Sequence, residues 1–147
     1  MNPIARQLIS DAEGLRLIVY DDQTGHPITP GMEVHGHPTI GYGRALDVHG
    51  ITQEEALQLL DNTLNEIETT LAGYVWFPSL DGARQAVLID MAYNMGLSNF
   101  YDFVSMIHAL ESADYLAAAN AMLESKWARE VPERAQRDAQ IMIHGTL

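Results

Sequence analysis

The sequence predicts an α+β fold in which a small antiparallel sheet precedes an all-helical second half, and three observations predict it. An alternating stretch from Leu15 to Tyr20 lies between a short helical pattern and a segment dense in Gly, Pro, Thr and His. A long amphipathic stretch begins at Thr52, and apolar residues after Pro78 recur at helical spacing almost to the end.

Each element has a local cause. Ile4, Leu8, Ile9 and Ala12 share one helical face over residues 3–12; Pro3 suits a first turn and Gly14 ends the run, which leaves Glu13 at a helix C-terminus. Leu15, Leu17 and Val19 then alternate with Arg16, Ile18 and Tyr20, as in a half-buried strand that ends at Asp21-Asp22. "TGHP" and "TPGM" signal turns before the extended "TIGYG". Thr52 and Glu55 form a capping box for a helix whose stripe is Ala56, Leu59, Leu60, Leu64, Ile67 and Leu71, closed by Gly73. A helix from Pro78 to Asn94 is apolar nearly all round and is expected in the core; Gly96 breaks it. Further helices are expected over 99–111, 114–125 and 132–144.

The 147 residues suit a single domain, 1–147: a sheet lobe over about 13–51, a connecting helix over 52–72, and a helical lobe over 73–147 on which helix 3–12 packs. The absence of cysteine excludes disulfides, thiol nucleophiles and thiolate metal sites. Eight basic against twenty acidic residues give −12, which disfavours nucleic acid and anionic membranes as partners. The opening "MNPIARQLISDAEGL" lacks a secretory pattern and no run is long enough to span a membrane, so a soluble protein without membrane insertion is expected. Lys126, Arg129, Arg134 and Arg137 are expected to leave a small positive surface.

The chemistry centres on carboxylates. Glu13 ends a helix, and Asp21 or Asp22 ends the strand after it, so the turn between them can bring two carboxyls to one sheet edge. A helix C-terminus and partial desolvation disfavour ionisation of Glu13, as a general acid requires, whereas an aspartate in a polar turn stays ionised. Two such groups flanking a groove suit glycosidic cleavage.

"EGLRLIVYDD", "TIGYGRAL", "GITQEEALQLL", "LIDMAYNMG" and "SKWAREVPERAQR", in that order, resemble the phage-type lysozymes of glycoside hydrolase family 24 over nearly the whole chain. The resemblance implies a lysozyme-like fold with substrate between two lobes. It implies cofactor-free, metal-free, inverting hydrolysis of the β-1,4 bond between N-acetylmuramic acid and N-acetylglucosamine of peptidoglycan. Glu13 becomes the general acid, and Asp22 the second carboxylate because Tyr20-x-Asp22 matches the motif. Thr39 becomes the residue that helps hold the attacking water. Tyr20 and Gly41 accompany them within their motifs, Arg134 would fix the Glu13 side chain, and Asn94, Met95 and Gly96 would form part of a cleft wall. Trp127 is expected in the core. The implied setting is a monomeric phage endolysin held in the host cytoplasm until a holin-type membrane protein gives it access to the wall. A non-catalytic peptidoglycan-binding or phage structural domain is the alternative.

Two departures stand out. Sixteen residues separate Asp22 from Thr39, an enlargement of the family's short pattern that should form a loop or hairpin at the site's mouth. Within it His26, His35 and His37 suggest an ordinary hydrogen-bonded loop rather than a metal site, and Arg44 stands where many relatives have histidine.

Overall fold

The computed structural model describes residues 1–147. It comprises two compact units, Met1–Leu57 and Gln58–Leu147, which are held together internally by different forces.

The first unit opens with α1, Pro3–Glu13. Asn2 caps it by accepting from the amides of Ile4 and Ala5, and the Gly14 amide closes it on the Ser10 carbonyl. Strands β1 (Arg16–Asp21), β2 (Pro38–Gly41) and β3 (Arg44–Ala45) form an antiparallel sheet in that order. Tyr20 faces Thr39, and Asp21 faces Pro38. A short helix, α2 (Leu46–His49), follows, and α3 (Gln53–Leu71) begins with the expected box: the Thr52 hydroxyl accepts from the Glu55 amide at 3.1 Å, and Glu55 accepts from the Thr52 amide at 2.7 Å. Arg44 reinforces this corner through the Gly50 carbonyl (2.7 Å) and Glu55 (3.2 Å).

The predicted alternation yields a strand but not a buried face, because Leu15, Leu17 and Ile18 are all exposed, as are Ile4, Leu8 and Ile9 of α1. The buried residues here are Asp21 and Thr39. Polar bonding, rather than an apolar core, therefore organises the sheet unit.

The second unit is a packed helical core. Of the α3 stripe, Ile67 and Leu71 are buried and Leu59 is exposed, so the helix turns its apolar side inward only at its C-terminal end. The helix expected from Pro78 is instead a single 3-10 turn (Phe77–Ser79) followed by α4 (Gly82–Met95), because the Asp81 side chain accepts from the Arg84 amide and sets the start there. Helices α5 (Leu97–Phe100) and α6 (Val104–Glu111) replace the single one expected over 99–111. Then come α7 (Tyr115–Leu123), α8 (Lys126–Glu130) and α9 (Pro132–His144). Leu88, Met91, Phe100, Met106, Leu110, Met122 and Met142 are fully buried, with flexible thioethers filling an irregular interior. Arg84 ties the start of α4 to the end of α9, giving Nε to Met142 O and Nη2 to Ile143 O, both at 2.8 Å, while its guanidinium lies 3.7 Å from the Tyr115 ring centre. No helix is long and apolar enough to cross a membrane.

Candidate active site

Glu13, Asp21, Asp22 and Thr39 all belong to the sheet unit. Glu13 is the last residue of α1, and its side chain lies over the turn between β2 and β3: a side chain on Gly43 would come within 3.1 Å of Glu13 Oε2 and 3.6 Å of its Cδ. Gly43 has φ +82°, so this turn both requires glycine for its backbone and uses the missing side chain to admit the carboxyl.

Asp21 and Asp22 are adjacent but have different duties. Asp21 is wholly buried. Its Oδ1 accepts from the amides of Gln23 (2.9 Å), Gly36 (3.0 Å) and, at greater length, Thr24 (3.4 Å), and its Oδ2 accepts from that of His35 (2.8 Å). The His35 amide, with those of Gln23, Gly36 and Thr24, holds the Asp21 carboxyl below its ordinary pKa against the opposing effect of burial. Asp22 is exposed, and its Oδ1 accepts from the His37 amide at 2.7 Å. The buried aspartate binds the loop's amides, and the exposed one keeps access to solvent.

Thr39 is buried at 3% exposure, and its hydroxyl donates to the His37 carbonyl at 3.1 Å. His37 thus joins Asp22 and Thr39 through the two ends of one residue's main chain. Tyr20 lies opposite Thr39 in the sheet, with the Arg16 guanidinium 3.9 Å from its ring centre, and Arg16 Nη2 reaches back to the Gly25 carbonyl at 2.9 Å. Gly41 pairs with Arg16 across the same two strands.

The enlarged loop is therefore a structural component of the site. The consecutive amides of His35, Gly36 and His37 all point into the Asp21-Asp22 carboxyls. A β-carbon on Gly36 would collide with Asp22 Oδ1 and come within 2.8 Å of the Gln23 main chain. Gly36→Ala is expected to displace the Asp22 carboxyl and lower kcat about tenfold, measured as peptidoglycan turnover, with KM little changed. The His37 ring binds Asp47 of α2, Nδ1 to Oδ2 at 2.9 Å, and no group of three or more His, Asp or Glu side chains is placed to hold a metal ion.

In the helical unit, Asn94 Oδ1 accepts from the Trp127 indole N–H at 2.8 Å; Trp127 is buried, as expected of a core residue. Met95 lines a cavity of about 540 Å³ together with Phe103, Trp127, Asp102, Glu124 and Lys126. Gly96 ends α4 at φ +81°. Arg134 gives Nε and Nη2 to the two oxygens of Asp90 on α4, at 2.8 and 2.7 Å, a bidentate clamp within the helical unit. Three of the four cations expected to form a positive surface, Lys126, Arg134 and Arg137, meet carboxylates. Arg137 binds Asp90 and Asp138, Lys126 binds Glu130, and Arg129 donates to the Glu124 carbonyl.

Asp138, absent from the sequence reading, is 1% exposed. Its Oδ1 accepts from Arg137 Nε and Nη2, and its Oδ2 has no partner. Burial, together with the facing Asp90 carboxylate, pushes Asp138 up to about 6 against the pull of Arg137; burial also opposes ionisation of Asp90, but the bonds and charge of Arg134, with the charge of Arg137, hold it below its ordinary value. A folded-state pKa above the unfolded 3.8 adds stability that is complete below pH 3.8 and lost as pH rises through 6. Asp138→Asn, which mimics the protonated form, is expected to exceed the wild type in stability by about 1–3 kcal/mol at pH 7 and to match it near pH 4, read from denaturant unfolding at both pH values.

Comparison with known proteins bears on the family of the chain. The family model described as phage lysozyme matches residues 10–139. The chain is 28% identical to the pre-baseplate central spike protein Gp5 of Enterobacteria phage T4, over 96% of the chain but only 28% of that longer protein. It is also 28% identical to probable T4-type lysozyme 1 of Dictyostelium discoideum, over 97% of the chain and 95% of the relative. Probable T4-type lysozyme 2 of the same organism is 29% identical over 57% of the chain and 49% of its own length. With the family's pattern matched across most of its length, the chain belongs to the phage lysozyme family, the T4-type family of glycoside hydrolases.

Proposed function

We propose that the chain is a muramidase that cleaves the β-1,4 bond between N-acetylmuramic acid and N-acetylglucosamine by general acid/base hydrolysis with inversion. The observation that carries this is the bridge at His37, whose amide holds Asp22 and whose carbonyl takes the Thr39 hydroxyl proton. With its hydrogen so engaged, the Thr39 oxygen is left to accept from a water. Asp22 keeps its second oxygen to take that water's proton as it attacks the anomeric carbon. Glu13, seated over the Gly43 turn, protonates the departing glycosidic oxygen. One water is consumed: its hydroxyl ends on the anomeric carbon and its proton on Asp22, Glu13 gives its own proton to the departing oxygen, and proton exchange with solvent restores both carboxyls.

Digestion of purified peptidoglycan tests this. Muropeptides heavier by one water than anhydro-sugar products, with the inverted anomer formed first by proton NMR, are expected; anhydro products or the retained anomer would overturn the mechanism. The setting we propose is phage-induced lysis, in which the enzyme reaches the wall after a separate holin-type protein opens the membrane. The similarity to part of a phage spike protein supports a second setting, a lysozyme module carried on a virion, with the same chemistry. Detection of the chain in purified particles separates the two.

A further inference from the structure

The loop between Asp22 and Thr39 ends in His37, three of whose four polar sites have partners. Its amide donates to Asp22 Oδ1 at 2.7 Å, its carbonyl accepts from Thr39 Oγ1 at 3.1 Å, and its ring Nδ1 lies 2.9 Å from Asp47 Oδ2. The first two bonds reach the groups assigned above to handle the attacking water, and the third reaches a different element, α2. A main chain that holds two such groups is only as fixed as its own anchors. On one side the preceding amides of His35 and Gly36 are pinned to buried Asp21. On the other, β2 begins at Pro38. The His37 carbonyl also accepts from the Asp22 amide at 3.1 Å, and the Asp47 contact adds to these main-chain bonds an anchor from α2.

We propose that His37 is a positioning residue whose ion pair with Asp47 holds the peptide units that orient Asp22 and Thr39, so that turnover depends on the charge state of a side chain that never touches substrate. The proposal rests on the assignment of Asp22 and Thr39 given above. The charged groups facing the ring are Asp47 from α2 and Asp22 from the end of β1, both anionic. The hydrogen bond to Asp47, then its charge, and then that of Asp22 raise the imidazole pKa above its ordinary value, against desolvation. A raised folded-state pKa means that the restraint is complete at acid pH and weakens as pH rises through the folded value, where the ring becomes neutral. Both side chains are about half exposed, so replacing either should leave the fold intact.

The test is steady-state hydrolysis of purified peptidoglycan across pH for the wild type, Asp47→Asn, His37→Ala, His37→Gln and Asp22→Asn, with the His37 pKa followed by NMR and melting temperature recorded for each. Asp47→Asn is expected to lower kcat about threefold to tenfold with KM within about twofold, and to move the alkaline limb of kcat downward in step with the fall in His37 pKa. His37→Gln, uncharged but able to bond Asp47, is expected to recover much of the turnover lost in His37→Ala and to lack that limb. An alkaline limb that stays in place in Asp47→Asn, or losses confined to KM or to melting temperature, would overturn the positioning role. If Asp22→Asn is inactive while the His37 and Asp47 variants keep wild-type kcat, this proposal alone fails; if Asp22→Asn keeps wild-type turnover, the assignment of Asp22 fails and the proposal falls with it.

Discussion

Glu13→Gln is expected to reduce clearing of outer-membrane-permeabilised bacteria by about 10²–10⁴-fold, the range that a positioned general acid supplies. Glutamine keeps the shape of the side chain, so the seat over Gly43, where Oε2 makes the closest approach, should remain. It removes only the ability to give a proton to a departing sugar oxygen. KM should therefore stay within about twofold, and because Glu13 is exposed, melting temperature should not move. The alternative of a non-catalytic binding domain makes the opposite forecast. Equal clearing by wild type and Glu13→Gln, or clearing by neither, would remove the acid from the mechanism.

Features with local causes were legible in the sequence. The Pro3 first turn and Gly14 stop of α1, the Thr52-Glu55 box, the Gly96 break and the Pro132 entry all appear where turn and cap chemistry predicts them. The resemblance selects Asp22 over Asp21 because Tyr20-x-Asp22 matches the family's motif; in the structure four main-chain amides bind Asp21. Alternation from Leu15 to Tyr20 correctly implied a strand, but period alone cannot say whether anything covers its apolar side, and Leu15 and Leu17 stay exposed. Asp81 moved the start of α4 because a good cap outweighed the proline signal before it. The partner of Arg134 was not legible at all: Asp90 lies 44 positions away, and only the packing of α4 on α9 brings the two together. The role of His35-Gly36-His37 was hidden for another reason. Its donors are peptide N–H groups, which every residue but proline possesses, so only the glycine between two larger residues hinted at a close approach.

Asp21→Ala is expected to lower turnover about 10²-fold and, unlike replacement of the adjacent aspartate, to lower the melting temperature as well. Asp21 accepts from Gln23, Thr24, His35 and Gly36, which span both ends of the loop, and its own main chain bonds residues 25 and 26. Alanine leaves those amides without an acceptor in a position from which water is excluded, so the loop must open to hydrate them. Opening carries His37 away, and with it the amide on Asp22 and the carbonyl on Thr39. The pH dependence has a definite sign: a carboxyl held below its ordinary 3.8 contributes stability that is present above that pH and lost as pH falls through the lower folded value. Wild type should therefore lose loop order at acid pH, and Asp21→Ala should show none of that transition because its loop is already released, a contrast readable by amide exchange of residues 35–37. Asp22→Asn separates the two aspartates: it should lose turnover at unchanged melting temperature and unchanged exchange. If Asp21→Ala instead kept both turnover and loop protection, the sheet unit would have to be ordered by something other than this buried carboxylate, and the distinction between a building aspartate and a working one would not stand.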